Sequence, residues 1–97
     1  MTWEQKLQAI IGLAGAFNVS LRMREPGNWY VSVSGTERKV GDSLLSSIGM
    51  TGRTPEYAVD ETWKSITDGQ VLVVRSTAKT PRKTVKWNGY MWEEVSE

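Results

Sequence analysis

The chain has 97 residues, a formal charge of +1, and neither histidine nor cysteine. That length supports one hydrophobic core in a single domain and leaves too little chain for a deep cleft between lobes. The two missing residue types exclude the usual zinc sites, iron–sulfur clusters, disulfides, thiol nucleophiles and histidine acids or bases, and the small charge gives no global field toward nucleic acid.

Thr2 and Gln5 are spaced as a capping box, and Trp3, Leu7, Ile10, Ile11, Ala14 and Phe17 recur at helical spacing. An amphipathic helix of about four turns is expected. Gly12 and Gly15 each cost such a helix up to about 1 kcal/mol relative to alanine, which implies close approach of a neighbouring element. The run from Ala9 to Phe17 has the length of a signal-peptide core. Glu4 beside Lys6 replaces the positive cluster that such a peptide needs, so the helix is the reading adopted. No apolar run is long enough to span a bilayer as a helix, and a cytoplasmic setting is expected.

Val19, Leu21 and Met23 alternate with polar residues, as do Trp29, Val31 and Val33, so both segments read as half-buried strands. A two-residue Pro26-Gly27 loop would put their apolar sets on opposite faces. Pairing Met23 with Trp29, Leu21 with Val31 and Val19 with Val33 aligns them and leaves Arg24 to Asn28 as a five-residue connection. Glu37 to Val40 reads as a short third strand. From Gly41 to Arg53 periodicity fades, and a mobile loop is expected, with Asp42 capping one helical turn that carries Leu44, Leu45 and Ile48. Leu44, Leu45, Ile48, Met50 and Arg53 are the candidate partner-binding residues of that loop.

Thr54 and Pro55 open a second helix, in which Val59, Thr62, Trp63 and Ile66 form one face while Glu56, Asp60, Glu61 and Lys64 face water. Gly69 stops it, and Val71, Leu72, Val73 and Val74 form a strand apolar on both faces. Ser76 to Arg82 is a basic loop. Arg75, Lys79, Arg82, Lys83 and Lys86 form a positive segment without an acid, which reads either as a solvated loop and edge strand or as a set of phosphate contacts. Asn88-Gly89 is the signature of a type I′ turn. Its register would pair Trp87 with Tyr90 and Val85 with Trp92, gathering Val85, Trp87, Tyr90 and Trp92 on one face.

Catalytic constellations are lacking. Gly41-Asp42-Ser43-Leu44 spells the motif of a family of serine esterases, but their serine needs a histidine base and a fold about twice this size. Asp60–Glu61 and Glu93–Glu94 are sequence neighbours whose side chains diverge, so neither forms an acid/base couple. No metal, cofactor or enzymatic activity is expected.

The strand pair, glycine-bearing loop and T-P-E-Y-A-V-D-E-T-W helix start from Thr54 resemble the strand–loop–helix of HicB-type antitoxins, with Tyr57 in place of that pattern's second acid. The wider pattern, G-R-T-P-E-Y-A-V-D-E-T-W with V-K-W-N-G-Y-M-W-E-E-V, resembles small bacteriophage-encoded accessory proteins. That resemblance implies a non-catalytic inhibitor that binds and blocks a host protein or complex in the bacterial cytoplasm, as anti-CRISPR proteins do. Glu56, Asp60 and Glu61 would then offer an acidic face that mimics nucleic acid. Two other readings stand beside it: a nucleic-acid-binding module using Arg75, Lys79, Arg82, Lys83 and Lys86, and a self-associating virion protein, for which a homodimer is one form. The expected fold is α+β and two-layered, in the order α-β-β-(β)-α-β-β-β, with both helices on one face of a mainly antiparallel sheet.

Overall fold

A computed structural model describes residues 1–14, 19–45, 48–76 and 81–96. The chain is an α+β fold. Its elements are α1 (Trp3–Ala14), β1 (Val19–Glu25), β2 (Asn28–Val33), β3 (Thr36–Val40), β4 (Ser43–Leu45), β5 (Thr51–Gly52), α2 (Pro55–Thr67), β6 (Val71–Val74), β7 (Lys83–Trp87) and β8 (Trp92–Glu94). The described strands pair antiparallel, but into two sheets instead of the expected one, ordered β1-β2-β5 and β4-β3-β6-β7-β8. The chain leaves the first sheet after Val33 and enters the second at Thr36, turning through Gly35 at φ +84°. That left-handed conformation suits glycine, and it redirects the third strand away from its predecessor.

Both helices form for the reasons their ends announce. In α1 the Thr2 amide donates to Gln5 Oε1 at 2.8 Å while the Gln5 amide donates to Thr2 Oγ1 at 3.2 Å, so two free amides are satisfied reciprocally. Ile10 and Leu13 are buried, whereas Ile11 stays on the outer side. The helix has 12 residues, a little over three turns. Phe17 and Gly15 lie outside the described residues. Gly12 permits no close approach, since a Cβ there would meet nothing within 4 Å. In α2 the Thr54 hydroxyl accepts from the Tyr57 amide at 3.1 Å, and Ala58, Val59, Thr62, Trp63 and Ile66 are buried. Gly69, at φ +67°, follows its last turn. Lys6 Nζ and Asp60 Oδ1, 3.0 Å apart, tie the two helices together.

The β1–β2 register is the expected one, with Val19 opposite Val33, Leu21 opposite Val31 and Met23 opposite Trp29. The device that achieves it differs. Glu25 also pairs with Asn28, so the connection is the short Pro26-Gly27 turn, and an irregularity at Arg24 supplies the odd residue that keeps both apolar sets on one face.

The β7–β8 hairpin has another register: Trp87 pairs with Trp92, Lys86 with Glu93 and Val85 with Glu94. The turn is four residues, Asn88 to Met91, instead of two. The Asn88 carboxamide oxygen accepts from both the Tyr90 and Met91 amides at 3.0 Å, and the Asn88 amide donates to the Met91 carbonyl at 3.1 Å. A shift of two residues preserves the faces of Trp87 and Trp92 but pushes Tyr90 to the tip, where it is 85% exposed. The gain is aromatic. Trp63 of α2 meets Trp87 edge-on at 4.7 Å and Trp92 at 5.9 Å, with Trp87 and Trp92 5.2 Å apart.

The expected mobile loop from Gly41 to Arg53, with its helical turn at Asp42, carries extended structure instead. Gly41 turns at φ +61°, and Ser43–Leu45 returns along β3. Further on, the Val33 amide donates to the Ile48 carbonyl at 3.2 Å and the Val31 amide to the Met50 carbonyl at 3.0 Å, leading into β5. This one segment therefore closes an edge of each sheet. A single core results, joining Ile10 and Leu13 of α1, Val59 and Ile66 of α2, Val31 and Val33 of the first sheet and Leu72, Val74 and Val85 of the second.

Candidate partner-binding surfaces

The five candidate loop residues are not brought together. Leu44 and Leu45 sit on β4 at the free edge of the five-stranded sheet, each more than 40% exposed, with Val40 beside them at 51%. Met50 is exposed beside β2, its carbonyl accepting from the Val31 amide, and Arg53 is exposed where the chain enters α2. Ile48 is a correction. It is only 4% exposed and belongs to the core cluster, with its carbonyl accepting from the Val33 amide.

Among its described residues the basic segment is not a continuous stripe. Arg75 is paired with Glu37 across β6 and β3. Lys83 and Lys86 lie on β7 at positions of opposite parity, so they project from opposite faces of the sheet. Arg82 lines a recess with Lys83, Thr84, Glu94 and Val95. Lys79 lies outside the described residues. Trp87 is half-buried in the tryptophan cluster, whereas Tyr90 is exposed. The acidic face of α2 is also partly neutralised, with Asp60 against Lys6 and Glu61 against Lys64.

Sheet edges differ in how they are guarded. β1 carries Arg22, Arg24 and a bulge, and β8 ends in Glu93 and Glu94, all devices that discourage a foreign strand. β5 has only two residues, and Gly52 lies against α2, where a Cβ would come within 2.7 Å of the Ala58 nitrogen. β4 alone presents Ser43-Leu44-Leu45 with no charge, proline or bulge.

Sequence reasoning missed a second surface. The polar face of the first sheet, turned away from the helices, carries Arg22 and Arg24 of β1 and Tyr30 of β2. Beside it, Gly27, Asn28, Thr51, Gly52, Arg53, Thr54 and Tyr57 line an open recess of about 580 Å³. The signal lay in the register itself, which puts the polar partners Arg22 and Tyr30 opposite one another whenever Leu21 faces Val31. The recess contains hydroxyls, an amide and one guanidinium but no carboxylate, so it offers no acid/base couple.

Among the described residues no group of three or more acidic side chains gathers to hold a metal ion, and no helix is long and apolar enough to cross a membrane. No protein-family model, curated protein or solved structure matches the chain.

Proposed function

We propose that this chain is a non-catalytic binding protein of the bacteriophage accessory type, acting in the cytoplasm of a bacterial host. It engages a host protein, such as a component of CRISPR-type defence, and inhibits it by occlusion. The observation that carries the reading is the β4 edge, where exposed Leu44 and Leu45 flank main-chain groups that no described strand pairs. An extended segment of a partner adds to such an edge through main-chain hydrogen bonds, while apolar side chains on both faces supply contact area. Three residues are enough to seat a short segment and too few to template an aggregate.

The test is affinity capture from nuclease-treated bacterial lysate with the wild-type chain and with a Leu44→Lys, Leu45→Lys double variant. A stoichiometric protein retained by the first and lost by the second supports the reading. Equal recovery by both, or recovery of nothing but nuclease-sensitive material, overturns it. Light scattering of the purified chain separates a foreign partner from a second copy at the same edge.

A further inference from the structure

We infer that the outer face of the three-stranded sheet, together with the recess beside Tyr57, is a binding site for single-stranded nucleic acid, distinct from the β4 edge and from the 75–86 basic segment. Arg22 lies opposite Tyr30, and Tyr30 lies opposite Thr51, so these three share one face across β1, β2 and β5. The Arg24 guanidinium reaches the same face, resting over the Tyr30 ring 4.4 Å from its centroid. Arg53 follows Gly52 just beyond the end of β5 and lines the recess together with Thr51. The opposite face of the same sheet packs Trp29, Val31 and Val33 toward the core, and α2 meets the sheet at its β5 edge, where Gly52 lies against Tyr57 and Ala58.

Charge then selects the partner. Arg22, Arg24 and Arg53 are exposed, and none of them is in an ion pair among the described residues, in contrast to Arg75. Nearby Glu25 is held by Asn28. Guanidinium groups bind phosphate bidentately, and hydroxyls such as that of Thr51 donate to phosphate or sugar oxygens. A duplex presents grooves that a broad sheet face does not enter, whereas a single strand lays its backbone along cations and splays its bases. Tyr57, 56% exposed at the wall of the recess beside Arg53, supplies the ring for one such base.

The experiment is fluorescence anisotropy of a labelled oligothymidine titrated with the wild-type chain at several salt concentrations. Three phosphate contacts on a single strand predict a slope of log affinity against log salt of about −2. The triple variant Arg22→Gln, Arg24→Gln, Arg53→Gln brings the slope close to zero. Tyr57→Ala weakens binding about tenfold while leaving the slope intact, since stacking releases no counterions. Lys83→Ala with Lys86→Ala changes neither quantity. Unaltered near-ultraviolet circular dichroism from the tryptophan cluster certifies the fold of each variant. Absence of binding at low salt, a triple variant that binds as well as wild type, loss that follows the two lysines, or equal affinity for polyglutamate would overturn the assignment. Because the β4 leucines take no part, this result and that of the capture experiment fail separately.

Discussion

Trp92 donates its indole Nε1–H to the main-chain carbonyl of Ala9 at 2.9 Å, joining β8 to α1 across 83 positions of sequence. The bond fixes the end of the second sheet against the first helix, and the same indole completes the edge-to-face cluster with Trp63 and Trp87. Trp92→Phe keeps an aromatic ring but removes the donor. A loss of about 1–2 kcal/mol is expected, since one hydrogen bond and part of a ring contact disappear while the Ala9 carbonyl keeps its place in the helix. Urea denaturation followed by far-ultraviolet circular dichroism measures it, as the fluorescence signal itself changes.

Two glycines predict opposite outcomes for the same substitution. A Cβ on Gly49 would fall inside contact distance of the Val31 carbonyl oxygen, which belongs to the central strand of its sheet and has no rotamer to yield. Gly49→Ala is therefore expected to cost about 3 kcal/mol, as overpacking against main chain does. Gly12 sits on the outer side of α1 with open space around the missing methyl. Gly12→Ala should stabilise the protein by about 1 kcal/mol through helix propensity alone. Denaturation midpoints of the two variants, moving in opposite directions, check both statements.

What was legible in the chain follows the same physics. The β1–β2 register was readable because Leu21, Met23, Trp29 and Val31 permit one alignment of apolar faces, and the Thr54 cap and Gly69 stop were readable because they depend on adjacent residues. The bulge at Arg24 was not, since arginine carries no local signal for the extra residue. β4 was hidden because Leu44 and Leu45 are consecutive, and the extended run from Ile48 to Gly52 was hidden because its glycines answer to Val31 and Ala58, distant in sequence. Of the candidate site residues, Leu44 and Leu45 were placed on an edge and Ile48 in the core by pairings that no short window contains.

At the β7–β8 turn, tertiary packing overrode the strongest local turn preference in the chain. Asn88-Gly89 favours a two-residue turn, yet pairing Trp87 with Trp92 lets both rings reach Trp63, and the Asn88 side chain then satisfies the Tyr90 and Met91 amides of the longer loop. Asn88→Ala removes that acceptor from an exposed turn. The expected cost is about 1 kcal/mol, with faster hydrogen exchange at the Tyr90 and Met91 amides and little change elsewhere. Unchanged exchange there would show that the side chain does not hold the turn.

Ile48 and Leu45 come from the same segment, two residues of one expected contact loop, and the fold gives them opposite duties. Ile48 is buried in the core cluster that also holds Val31 and Val33, so Ile48→Ala leaves a cavity and should cost about 2–4 kcal/mol. Leu45 is 47% exposed at the sheet edge, and Leu45→Ala should stay within about 0.5 kcal/mol of wild type because little surface is buried there in the free chain. Partner capture should show the reverse order once the proteins are compared at a temperature where both are folded. Leu45→Ala loses partner through its missing contact area, whereas Ile48→Ala retains it as far as its folded fraction allows. A Leu45→Ala variant that is as destabilised as Ile48→Ala would mean that β4 is packed into the core, and the edge would lose its claim as the docking surface.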